Sequence, residues 1–191
     1  MKKMSYREQI TEFDCGPTAF ANALIYLFKR DEIPAEVIRQ VYKHTLNDPK
    51  NGTTFGAMNR LTKWLNSYKS KTFSLNALVK KRNNVIFDDN LTEIDKSSCG
   101  ILRVYFGQGY WHFITVFYKK GDFLYCFDPY PRKSEKFNNE NREWLRRPQK
   151  DGCNLKIKAS YINEFKSKGI LRAGVEAERY FILIQRLRRH K

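Results

Sequence analysis

The run Trp111-His112-Phe113-Ile114-Thr115-Val116-Phe117 constrains this chain more than any other stretch. Laid out as a strand, it carries apolar side chains on both faces, so it needs cover on both sides and belongs in the middle of a sheet. Neighbouring runs supply its partners. Gly100 to Phe106 is rich in Ile, Leu, Val and Tyr, Phe123 to Asp128 is strand-like, and Tyr180 to Leu187 is a strong closing strand. Short turns at Gly107-Gln108-Gly109 and around Lys119-Lys120-Gly121 make the pairing antiparallel.

The first half of the chain has a different period. From Thr18, the residues Ala19, Phe20, Ala23, Leu24, Leu27 and Phe28 recur at helical spacing. Pro34 suits the start of a second helix, with Val37, Ile38, Val41 and Tyr42 on its apolar face and an end near His44. Leu46 to Gly52 is a loop by composition. Thr53 or Thr54 then caps a third helix, in which Phe55, Met58, Leu61, Trp64 and Leu65 share a face. The spacing in Leu75 to Lys81 predicts a short helix, Asn83 to Asp89 a strand or loop, and Tyr161 to Lys168 another short helix. Helices followed by an antiparallel sheet make an α+β fold. The expected arrangement is one domain over 1–191, with a helical half about 1–97 and a sheet half about 98–191.

A chain of 191 residues can bury a full core. No apolar run is long enough to span a bilayer, and no export-type segment follows the charged first residues, so a cytoplasmic location is expected. Cys15, Cys99, Cys126 and Cys153 show neither a CxxC pair nor metal-ligand spacing, and read as reduced thiols with no metal or cofactor implied. The net charge of +16 attracts anions: nucleic acid, acidic lipid headgroups or acidic peptides. Basic residues concentrate in the polar segment 132–152, which reads as a surface excursion, and in the tail 186–191. No RNA-platform or helix-turn-helix pattern accompanies them, so a solvated basic surface is the preferred reading over nucleic-acid binding.

Gln9-Ile10-Thr11-Glu12-Phe13-Asp14-Cys15-Gly16-Pro17 leads into the first helix. Asp14 can accept from first-turn N–H groups, and Pro17 has the φ of an early helical position. A thiol at that point feels the positive end of the helix dipole, which favours thiolate. The competing reading of Cys15 is a buried structural cysteine. A nucleophile needs a base, and the chain has three histidines. His190 lies in the charged tail, and His44 sits at a helix end. His112 interrupts an apolar strand, where an imidazole needs a hydrogen-bond partner. If Lys119-Lys120-Gly121 is a three-residue hairpin loop, Tyr118 pairs with Asp122 and His112 falls opposite Asp128, within reach of it. A carboxylate there would orient the ring. The side chain of Gln9 and the backbone N–H of Cys15 could both point at a developing oxyanion.

These positions resemble the papain-like peptidases that process double-glycine leader peptides of bacteriocins. Such proteins carry Gln, five residues, then Cys-Gly at a helix start, with His on a later strand and Asp-Pro about sixteen residues beyond it. Gln9, Cys15-Gly16, His112 and Asp128-Pro129 match. The resemblance implies a papain-like fold, with Cys15 as nucleophile, His112 as general base, Asp128 as its orienting group and Gln9 in the oxyanion hole. It implies a peptide substrate, for which Asp14, Gly16 and Trp111 are candidate contacts. It also allows a membrane exporter as partner, with action at the inner membrane face. The chain itself shows no transmembrane segment and no Walker-type loop, and the match does not extend past Pro131. Two other readings use the same residues: a papain-like acyltransferase or amidase, and a non-catalytic module that binds peptide or nucleic acid.

Overall fold

A computed structural model describes residues 6–46, 52–82, 87, 94, 97–131, 137–145, 152–166 and 169–187. Helix α1 (Cys15–Leu27) is followed by a 3-10 turn (Arg30–Glu32), α2 (Ala35–Thr45) and α3 (Phe55–Ser67). Strands β1 (Leu75–Lys81), β2 (Ser98–Gly107), β3 (Tyr110–Lys120), β4 (Phe123–Phe127), β5 (Arg142–Trp144), β6 (Leu155–Lys158) and β7 (Tyr180–Arg186) make one sheet, with the short helix α4 (Ala159–Asn163) after β6. Their spatial order is β1-β7-β2-β3-β4-β6-β5, and every neighbouring pair is antiparallel. The architecture is α+β, with N-terminal helices packed on an antiparallel sheet.

Alternation along the strands divides the core in two. Ile101, Phe113, Phe117, Ile182 and Ile184 pack with α1, α2 and α3 on one face. Leu102, Val104, Ile114, Val116, Phe181 and Leu183 pack on the other with Tyr161, Ile162 and Leu171. β3 therefore has the two-sided cover that its composition demands. The Thr54 hydroxyl caps α3 by accepting from the Ala57 N–H at 3.2 Å.

Leu75 to Lys81 is a strand, not the helix its spacing suggests, and its ladder with β7 outweighs the local signal. The helix expected over Tyr161–Lys168 is shorter and earlier, at Ala159–Asn163. Within the polar excursion, Arg142–Trp144 pairs with β6, while 132–136 and 146–151 lie outside the described residues. Most of the Asn83–Asp89 stretch and of the Leu46–Gly52 loop also lies outside them.

The β3–β4 hairpin differs from the expected three-residue loop. Lys120 pairs with Phe123 across a two-residue turn, Gly121-Asp122, in which Gly121 takes φ 56°. A bulge between Val116 and Tyr118 then shifts the register by one, so that Val116 meets Cys126 and Thr115 meets Phe127. Continued past its last pair, this register sets Asp128 across from Ile114. His112 lies two residues along the same face, so the contact between them is diagonal.

Asparagine side chains hold main-chain groups that no strand ladder pairs. Asn22 of α1 accepts from the Arg7 N–H and donates to the Arg7 carbonyl, at 2.7 and 2.9 Å. Asn66 of α3 holds Ala77 of β1 in the same way, at 2.6 and 2.9 Å, and Asn163 holds Phe87 at 2.9 and 2.8 Å.

Gly100 of β2 is a position where packing leaves no room for a side chain. A Cβ there would lie 2.1 Å from ring atoms of Phe181. Gly100→Ala is expected to destabilise the protein by about 1–3 kcal/mol through overpacking. Urea denaturation should show a lower midpoint with an unchanged slope.

Candidate active site

Cys15 is the first residue of α1, with 7% of its surface exposed. One turn on, the Ala19 carbonyl accepts from the Thr115 hydroxyl of β3 at 3.0 Å, which ties the helix across that strand. Gly16 lets the helix start meet the segment ahead of α3. A Cβ there would lie 2.4 Å from the Thr53 hydroxyl oxygen. Gly16 thus makes a close packing contact next to the thiol.

Asp14 occupies the N-cap position, but its carboxylate makes no bond to the helix. This corrects the expectation that it caps the first turn. Its oxygens turn back and accept from the Ile10 and Thr11 N–H groups, at 3.1 and 3.0 Å. The carboxylate shapes the loop ahead of Cys15 and leaves the first-turn N–H groups uncapped by it.

The imidazole of His112 and the carboxylate of Asp128 are both buried, and Nε2 lies 2.6 Å from Oδ1. The Cys15 side chain also acts on the ring, through a hydrogen bond and its charge. Asp128 is fixed on several sides. Its Oδ1 also accepts from the Tyr130 N–H at 2.9 Å, its own N–H donates to Asn154 Oδ1 at 2.8 Å, and its carbonyl accepts from Asn154 Nδ2 at 2.9 Å. The rings of Phe106 and Tyr130 flank the imidazole, with centroids at 5.2 and 6.5 Å.

Burial alone would push the His112 pKa down. The charge of Asp128 and its hydrogen bond, with smaller contributions from Cys15, outweigh burial and raise the value from 6.5 to about 9. At neutral pH the ring is an imidazolium between a carboxylate and a sulfur.

Gln9 lies beside this pair through its backbone, whose N–H donates to the Pro129 carbonyl at 2.9 Å. Its side-chain nitrogen donates to the Thr11 carbonyl at 2.9 Å, and Oε1 is buried without a hydrogen-bond partner. An amide nitrogen has two hydrogens, so one remains for a ligand. Trp111 stands one residue from His112 and covers the Arg103 guanidinium at 3.7 Å from its ring centroid. Phe55 covers the same guanidinium at 4.4 Å. Burial lowers the Arg103 pKa to about 10, against the opposing charge of Glu178.

Cys126 lies two residues before Asp128 and feels its charge. Cys99, Cys126 and Cys153 are fully buried, and burial raises the thiol pKa of Cys99 and Cys126. None of the four cysteines is in a disulfide. His44 lies against Trp64 at the end of α2, and His190 is outside the described residues. Among the described residues, no three His, Cys, Asp or Glu side chains group as metal ligands would, and no helix is long and apolar enough to cross a membrane. Arg103, Phe106, Tyr130 and Asn154 were not legible as site residues. Tyr130 follows the Asp-Pro pair and could have been noticed, while Asn154 sits in a polar stretch with no periodic signal.

The raised pKa of His112 has a consequence for stability. A group whose folded pKa lies above its unfolded value contributes stability fully below pH 6.5, and that contribution fades as pH rises through about 9. Urea unfolding measured from pH 6 to 10 should therefore show stability falling across this window. In Asp128→Asn, which removes the charge that holds the proton, this part of the pH dependence should vanish.

No family model matches the chain, and no curated protein sequence matches it. Solved structures do. The chain is similar to the crystal structure of the peptidase domain of Streptococcus ComA, a bi-functional ABC transporter involved in a quorum sensing pathway. The two share 15% sequence identity with a TM-score of 0.53, over 94% of this chain and 96% of that one. At this identity the likeness speaks for architecture: the chain shares the α+β fold of that peptidase domain.

Proposed function

We propose that this protein is a cysteine peptidase that works through an acyl-enzyme on Cys15, and that it processes leader peptides. The observation that carries the reading is the contact series Cys15, His112, Asp128, with a helix N-terminus at one end and a buried carboxylate at the other.

In this mechanism the Cys15 sulfur attacks the scissile carbonyl carbon while His112 holds the thiol proton. The C=O π pair moves to oxygen, which is stabilised by the Cys15 N–H and the remaining Gln9 N–H. Collapse breaks the C–N bond, and the imidazolium gives its proton to the leaving amine. The neutral ring then takes a proton from water as the hydroxyl attacks the thioester. The second adduct collapses with cleavage of the C–S bond, so the acid departs and Cys15 leaves as thiolate beside the imidazolium, the state in which the cycle began. Asp128 keeps the ring oriented throughout and favours its cationic form.

The substrate class rests on two supports: the motif set Gln9, Cys15-Gly16, His112 and Asp128-Pro129, and the likeness to a transporter's peptidase domain. On this reading an exporter is the partner, and cleavage takes place on the cytoplasmic side of the membrane.

Iodoacetamide at neutral pH should label Cys15 well ahead of Cys99, Cys126 and Cys153, and His112→Ala should slow that labelling. A difference due to burial alone would survive His112→Ala. A synthetic peptide with Gly-Gly before the scissile bond should be cleaved by the parent protein and not by Cys15→Ala. His112→Ala should lose at least about 10²-fold in rate. Cleavage that persists in Cys15→Ala, or equal labelling of all four thiols in the native protein, would overturn the reading.

A further inference from the structure

We infer that Asn154 is a positioning residue for the reaction, holding both main-chain groups of Asp128 so that its carboxylate meets His112. The inference rests on the triad reading above.

Asp128 lies just past the end of β4. The last pair with β3 is Thr115–Phe127, and the last pair with β6 is Cys126–Leu155, so neither ladder reaches it. Pro129 follows and has no N–H to offer. Strand pairing therefore does not set the position of its main chain, and the contact with His112 Nε2 is 2.6 Å long.

Asn154 takes the place of the missing strand. Its Oδ1 accepts from the Asp128 N–H at 2.8 Å and its Nδ2 donates to the Asp128 carbonyl at 2.9 Å, as a paired residue would. The asparagine is itself fixed. Its N–H donates to the Cys126 carbonyl at 3.1 Å, its carbonyl accepts from the Leu145 N–H at 2.9 Å, and its side chain is buried. Only a primary amide supplies a donor and an acceptor side by side. Aspartate would lose the donor and add a second carboxylate beside Asp128. Serine would keep one of the two bonds.

The groups facing the His112 ring are Asp128 from the end of β4, Cys15 from α1, and the rings of Phe106 and Tyr130. Displacing Asp128 removes the main influence that keeps the ring cationic. Burial then pulls the ring toward neutrality. Asn66 provides a matched control, because it clamps Ala77 with the same two bonds and touches none of these groups.

The test is an NMR pH titration of the His112 ring in the full chain, alongside urea denaturation. The parent midpoint is expected near 9. Asn154→Ala should lower it by about one unit or more, Asn154→Ser should fall between, and Asn66→Ala should leave it unchanged. Both alanine variants should be less stable than the parent. An unmoved midpoint in Asn154→Ala overturns the inference, as does an equal shift in Asn66→Ala. If Asn154→Ala does not fold, Asn154→Ser carries the test. If neither folds, the residue serves folding alone and the inference fails. A parent protein whose His112 titrates near 6.5 would instead remove the triad reading on which the inference stands.

Discussion

The buried contact between His112 and Asp128 is the interaction on which the rest of this structure depends. Taking an imidazolium and a carboxylate out of water costs several kcal/mol per ion, and attraction offsets that cost only when geometry is tight and the remaining polar atoms are satisfied. Here Oδ1 serves both the ring and the Tyr130 N–H, and the Asp128 main chain is matched by Asn154. The two-sided cover of β3 excludes the water that would weaken the pair. Breaking it from either side would leave an uncompensated charge, at a cost of about 3–5 kcal/mol. The same arrangement holds the ring beside Cys15 in its cationic form.

The sequence suggested this contact by a route that the chain does not take. A three-residue loop was expected to set His112 directly opposite Asp128. The turn is Gly121-Asp122, which by itself would have put the two residues on opposite faces. That turn shifts the register by three residues; the bulge between Val116 and Tyr118 takes one back, and the remaining even offset restores the parity. The meeting is diagonal as a result, and the side chains, not the backbone ladder, close the distance. No local signal announces a bulge among Val116, Phe117 and Tyr118. The bulge leaves Phe117 on the helical side with Tyr6 and Tyr26, at ring distances of 4.8 and 4.6 Å.

Elsewhere, legibility followed the strength of periodicity. The faces of α1, α2 and α3 and the strands β2, β3 and β7 were readable because each carries several large apolar residues at one period. β1 was not. Leu75, Leu78 and Val79 fit a helical spacing, while Leu75, Ala77 and Val79 fit a strand, so seven residues support either reading. What decides is β7, more than a hundred residues later, whose insertion between β1 and β2 also explains why the closing strand is so apolar. Asp14 shows the same limit at the site itself. Its residue type and position both suit a helix cap, yet the loop N–H groups of Ile10 and Thr11 take the carboxylate instead.

Asparagine reads in sequence as surface and loop, and in this chain that reading conceals a structural use. Asn22, Asn66, Asn154 and Asn163 each bond both main-chain groups of a residue distant in sequence. Each makes the equivalent of one rung of a ladder from a single side chain. Periodicity cannot reveal such a residue, because the pairing partner is a backbone and leaves no mark on the partner's side chain. Two of the four act on segments that lead to the site. Asn22 anchors Arg7, two residues before Gln9, to the helix that carries Cys15, and Asn154 anchors Asp128 itself. The first joins the Gln9 loop to the sulfur's helix, and the second joins the carboxylate to the sheet. Between them they set two parts of the site that the strand pattern alone would leave loose, so the precision of the site rests on amides that composition assigns to the surface.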